Sequence, residues 1–161
     1  MLERRTAVPG DEPFLRVLLA STRPDLAGWE QGERERFLDI QLRAQKAGWG
    51  ARFPGSTDEI ILLDGRPVGR VWVAWSPDAC VIVDLELMPE VRRSGLGTRI
   101  FEPILEEADR RGIPVRGSAD RRNTASIAFA GRFGMVPTGG DEVYVWLERP
   151  VSPDRPPRAS A

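Results

Sequence analysis

The residues best suited by type and spacing to hold a charged ligand are Arg92-Arg93-Ser94-Gly95-Leu96-Gly97. Gly95 and Gly97 carry no Cβ, so the main chain around them can be approached closely. Ile100, Phe101, Ile104, Leu105 and Ala108 follow at helical spacing and mark one buried helix face. The start of such a helix adds unpaired N–H donors and a partial positive charge. A phosphorylated group is therefore the expected ligand, and a turn that merely needs positive φ is the structural alternative. Arg92 and Arg93 add charge for phosphates, and Thr98 either donates its hydroxyl or caps the helix. No Gly-Lys-Ser/Thr follows a four-residue spacer, so the loop is not a nucleoside-triphosphate cradle. Position 100 is Ile100 where a dinucleotide fingerprint needs its third glycine.

The elements around this loop come from periodicity and punctuation. Val81-Ile82-Val83-Asp84-Leu85-Glu86-Leu87 is aliphatic and β-branched, hence a strand, and its period of two sets Asp84 and Glu86 on one face. Upstream, Arg4 to Val8 reads as a strand, with Asp11 as N-cap of a helix carrying Phe14, Leu15, Leu18 and Leu19. A second helix is expected from about Glu33 to Ala47, with Phe37, Leu38, Ile40 and Leu42 on its apolar face, and a loop from Gly48 to Asp58. Ile60–Leu63 and Val68–Trp75 form a hairpin about Asp64-Gly65, before the strand Cys80–Leu87. The loop helix runs to Arg110-Arg111 and ends at Gly112, with Pro103 inside it as an oddity. Val115–Ala119, Met135–Thr138 and Val143–Leu147 complete the strands, and a short helix follows Asn123. Residues 1–149 are expected to form one domain; 150–161, rich in Pro, Arg and Ser, read as a disordered tail.

Composition narrows the chemistry further. The 161 residues include no histidine and one cysteine, Cys80, at a net charge of -1. Histidine-based nucleophile pairs and ordinary zinc sites are excluded, so no metal is expected. Proton transfer must use carboxylates, Tyr144, Cys80, Lys46 or water. The charge argues against nucleic acid as a generic partner, and no apolar run is long enough to span a bilayer. A lone cysteine suits a reducing cytoplasm.

The pattern Arg-x-x-Gly-x-Gly resembles the pyrophosphate loop of the GNAT superfamily of acyl-CoA-dependent N-acetyltransferases. Leu87-Met88-Pro89-Glu90 before it resembles that family's strand end. Asn123-Thr124-Ala125-Ser126-Ile127-Ala128-Phe129, leading to Arg132-Phe133-Gly134-Met135, resembles its second signature. The resemblance implies an α/β fold with a mixed, mostly antiparallel sheet of about six to seven strands and about four flanking helices. It implies acetyl-CoA as co-substrate and an amine as acceptor, with a homodimer among the arrangements common in the family.

Carried over residue by residue, the resemblance places the CoA pyrophosphate on the main chain of Arg92, Arg93, Ser94, Gly95, Leu96, Gly97 and Thr98. Leu85 and Leu87 would pair with the pantetheine arm through their backbones, the Leu87 N–H serving as oxyanion donor. Asn123 would hydrogen-bond the arm, or simply cap its helix. Glu86 is the candidate general base, because an amine must lose a proton to attack a thioester; a salt-bridged strand carboxylate is the competing reading. The family's usual general-acid tyrosine position holds Ala130, so the departing thiolate would depend on Tyr144 or water. Trp29 and Trp49 fall where the family puts its acceptor pocket, whereas Trp72, Trp75 and Trp146 are expected in the core. The expected activity is transfer of acetyl from acetyl-CoA to a primary amine of a small molecule or peptide by direct attack. A non-catalytic acyl-CoA sensor with the same fold is the alternative, and a contact domain that binds nothing a third.

Overall fold

The computed structural model describes residues 1–151, so most of the tail expected at 150–161 lies outside the described residues. Seven strands and four α-helices alternate in an α/β arrangement: β1 Leu2–Thr6, α1 Glu12–Ala20, α2 Gln31–Arg52, β2 Thr57–Leu63, β3 Arg66–Trp75, β4 Cys80–Leu87, α3 Leu96–Arg111, β5 Val115–Asp120, α4 Thr124–Arg132, β6 Val136–Gly140 and β7 Tyr144–Arg149. The strands form one mixed sheet in the order β1-β2-β3-β4-β5-β7-β6. The described chain divides into two compact units, Met1–Trp72 with Asp84–Gly97, and Val73–Val83 with residues 98–151.

In the first unit, β1 pairs antiparallel with β2 from Leu2↔Leu63 to Thr6↔Glu59. The β1 strand ends two residues earlier than expected. Asp11 N–H donates to the Val8 carbonyl, closing a one-turn helix there. Asp11 sits at the N-cap of α1 without capping it. Its buried carboxylate instead accepts two hydrogen bonds from Arg5, at 2.6 and 2.7 Å, and one from the Val8 N–H. That charged partner outcompetes the neutral amides of the first helical turn. Leu15 and Leu18 of α1 pack with Ile60, and Leu19 packs with Leu26 and Leu38. Asp64 and Gly65 both take positive φ, the conformation a two-residue hairpin turn needs.

The α2 helix corrects the expected loop at Gly48–Asp58, running through Gly48 and Gly50 to Arg52. The Trp49 carbonyl accepts the Phe53 N–H at 2.8 Å, and the Trp49 ring stands edge-on to Trp72 with centroids 5.4 Å apart. Packing of that indole holds a last turn that glycine propensity alone would lose. Ile40, expected on the apolar face, is 57% exposed; Leu38 is the residue α2 buries.

In the second unit, β5 pairs antiparallel with β7, and β7 with β6. Phe101 of α3 meets Phe129 and Phe133 with ring centroids 5.5 and 5.0 Å away. Pro103 does lie inside α3, costing the helix one backbone hydrogen bond. Trp146, expected in the core, is 51% exposed. Alternation along β7 turns Val145 and Leu147 inward, and the Trp146 ring lies over Gly139 instead. Trp72 is buried as expected, and Trp75 is half-buried with the Arg111 guanidinium 4.4 Å from its ring centroid.

Candidate active site

The parallel ladder between β4 and β5 covers only Cys80↔Val115, Val81↔Arg116 and Ile82↔Gly117. From Asp84 onward β4 has no β5 partner in the register. Leu85 and Leu87 are half-buried there, and the Met88 N–H returns to β3 through the Val68 carbonyl at 2.8 Å. The chain at this point is pressed close to β3. A Cβ added at Gly69 would sit 2.4 Å from the Glu86 carbonyl oxygen and 2.7 Å from Leu87 Cδ2. Gly69→Ala is therefore expected to destabilise the fold by about 1–3 kcal/mol through overpacking. Chemical denaturation of the two proteins measures it, and a change within error would contradict the close approach.

Asp84 and Glu86 lie beside a buried ion pair. Arg70 of β3 is only 2% exposed and presents its guanidinium edge to Asp58, Nε at 2.7 Å from Oδ1 and Nη2 at 2.8 Å from Oδ2. Its planar face lies 4.8 Å from the Trp72 ring centroid and 5.6 Å from that of Trp49. Trp72 in turn donates its indole N–H to Ser56 at 2.7 Å. Burial opposes the Arg70 charge, but the hydrogen bonds and charge of Asp58, with smaller contributions from Asp84 and Glu86, hold it firmly protonated.

Burial pushes the Glu86 carboxyl above its usual range, while Arg70 and Arg92 pull it back. Asp84 is raised further, first by burial and then by the neighbouring Glu86 charge, with Arg70 opposing. A carboxylate raised by burial and partly countered by cations takes up a proton at higher pH than an exposed one.

The two glycines of the loop differ in backbone conformation. Gly95 takes φ +82° and Arg93 φ +57°, so Gly95 meets the demand of a turn. Gly97 has no positive φ and lies in the first turn of α3, where glycine costs about 1 kcal/mol relative to alanine. Arg92, expected to face phosphate, donates from Nε to the Leu87 carbonyl at 2.8 Å and from Nη2 to Ser21 Oγ at 3.2 Å. Ser94 donates its hydroxyl to the Val91 carbonyl. Leu96 is buried, and Thr98 is half-buried within α3.

Asn123 caps α4, its Oδ1 accepting the Ser126 N–H at 3.1 Å. Ala130 is buried. Tyr144 belongs to the second unit, at the start of β7, and is 47% exposed. Cys80 is buried and its thiol is pushed up to about 12 by burial, which removes it from proton transfer at neutral pH. Of the two tryptophans expected near an acceptor, Trp29 is exposed and meets Phe37 at a tilted angle, while Trp49 stands by Arg70. Sequence reasoning missed Arg70 and Asp58. The signal was present, since Arg70 is the lone charge within Val68-Gly69-Arg70-Val71-Trp72-Val73, and a buried charge needs a partner.

Residues 15–135 match the model of the Acetyltransferase (GNAT) family. The chain belongs to the GNAT acetyltransferase family. Solved GNAT structures share its fold at low identity. The PaiA N-acetyltransferase of Thermoplasma acidophilum, in complex with coenzyme A, superposes with a TM-score of 0.69 at 16% identity, covering 93% of this chain and 99% of that one. An acetyltransferase of Thermus thermophilus gives 0.67 at 19%, covering 94% and 97%. The ribosomal-protein-S18-alanine N-acetyltransferase of Escherichia coli gives 0.63 at 16%, covering 94% and 95%. No curated protein matches the sequence. Among the described residues no three His, Cys, Asp or Glu side chains are placed to hold a metal ion. No helix of the described residues is long and apolar enough to cross a membrane.

Proposed function

We propose that this GNAT family member transfers the acetyl group of acetyl-CoA to a primary amine of a small molecule or peptide. The observation that carries the proposal is the strand β4, which leaves its β5 partner after Ile82 and runs, through Asp84–Leu87, into the glycine loop. Main-chain groups of Leu85 and Leu87 are offered to the pantetheine arm, and the amides from Arg92 to Thr98 to the pyrophosphate.

The amine nitrogen attacks the thioester carbon, and the oxyanion that forms is held by the Leu87 N–H. Glu86 accepts the proton that the amine releases, directly or through water. The carbon–sulfur bond then breaks, and the thiolate takes a proton from water. A thiol is a good leaving group, so water suffices where Ala130 has no proton to give.

The buried Ala130 favours one other reading, an acyl-CoA-binding module without turnover. Thiol release from acetyl-CoA across a panel of primary amines, followed with a thiol reagent, decides between the two. Transfer predicts amine-dependent release in the native protein. In Gly97→Trp, acetyl-CoA affinity is expected to fall about a hundredfold, the equivalent of about 2.8 kcal/mol. Binding without release by any amine would favour the sensor.

A further inference from the structure

Asp84 has no task in the reaction just described, and its surroundings are those of a neutral acid. Its Oδ2 is buried and meets no hydrogen-bond donor among the described residues. The Leu85 backbone N–H donates to the same carboxyl. A negative charge there would rest partly on an oxygen closed to bulk solvent and met by no donor among the described residues, which a proton relieves. The charged neighbours on the packed strands are two acids and one cation. Glu86 on β4 and Asp58 on β2 oppose an Asp84 anion, and only Arg70 on β3 favours it. The Arg70 fork is already committed to both Asp58 oxygens. Glu86, by contrast, is faced by two cations, Arg70 and Arg92.

We propose that Asp84 keeps its proton at neutral pH, so that the two strand carboxyls carry one negative charge between them and Glu86 bears it. Asp84 is then a positioning residue. By staying neutral it spares Glu86 a second like charge, which would lift the proton affinity of Glu86 further and slow the release of each proton it collects. The role in turnover rests on the acetyl-transfer reading above, but the place of the proton does not.

Carbon-13 NMR of the carboxyl carbons in the full chain, from about pH 4 to pH 10, reads both groups without any acyl donor. Glu86 is expected to titrate first, with Asp84 still in its protonated form at pH 7 and moving only at higher pH. Glu86→Gln should lower the Asp84 midpoint, because a like charge has gone. Asp84→Asn exchanges one neutral group for another, so the Glu86 midpoint should stay within about 0.3 units. An Asp84 midpoint in the ordinary carboxylate range would overturn the proposal. So would a fall of about one unit or more in the Glu86 midpoint of Asp84→Asn, since that variant would then have removed a charge. If Asp84→Asn does not fold, the native protein and Glu86→Gln decide alone. A neutral Asp84 in a protein that fails to bind acetyl-CoA would sink the transferase reading and leave the proton assignment standing.

Discussion

Replacing Glu86 with glutamine is expected to lower amine-dependent turnover by about 10²–10⁴-fold, the range that one positioned proton acceptor supplies. Glutamine keeps the size and the hydrogen-bonding capacity of the side chain and loses only the ability to take a proton. Acetyl-CoA affinity should therefore stay close to native. The pH profile gives a second signature. Native turnover must rise with pH as Glu86 ionises, and burial sets that rise above the usual carboxylate range, with Arg70 and Arg92 limiting the displacement. In Glu86→Gln the acidic limb assigned to this group should vanish. Equal turnover in the two proteins would assign the proton to water alone and leave Glu86 as a structural carboxylate.

The second large effect is expected at Asp58. Arg70 has almost no solvent access, and both of its strong hydrogen bonds end on the Asp58 carboxylate. Asp58→Ala leaves the guanidinium buried without its partner, a change that costs about 3–5 kcal/mol. Gln45 offers one weak contact to Nη1, at 3.4 Å, and the faces of Trp49 and Trp72 cannot replace two carboxylate oxygens. Arg70→Met in the same background should recover part of the loss, because the stranded charge is then gone. Denaturant unfolding of the single and double variants measures both figures. A loss below about 1 kcal/mol for Asp58→Ala would mean that Asp84 and Glu86 had taken over the cation.

Both effects come from a cluster that the sequence shows only in part. A strand's period of two sets Glu86 on one face with Asp84, but only the family resemblance makes it a candidate base. Its neighbours were not legible, because Arg70, Asp58 and Trp49 come from three separate elements, and pairing across strands is invisible to local periodicity. The α2 helix shows the same limit. Gly48 and Gly50 read as a loop, yet the ring of Trp49 against Trp72 carries the helix past them. Trp146 failed differently: β7 alternates as expected, but which of its two faces is covered depends on the register with β6 and β5. The loop from Arg92 to Gly97 read correctly as an element, since a strand, two glycines and an amphipathic stripe lie in one continuous segment. The engagement of Arg92 with the Leu87 carbonyl and Ser21 was out of reach, because Ser21 comes from a distant part of the chain.

The central claim is that the loop and the end of β4 beyond its β5 pairing hold acetyl-CoA, and calorimetric titration of the native chain with acetyl-CoA tests it most directly. Saturable binding with one site per chain, weakened about a hundredfold in Gly97→Trp, is the expected result. Binding that Gly97→Trp leaves unchanged would move the cofactor away from this loop, and no binding by the native protein would contradict both the transferase and the sensor readings.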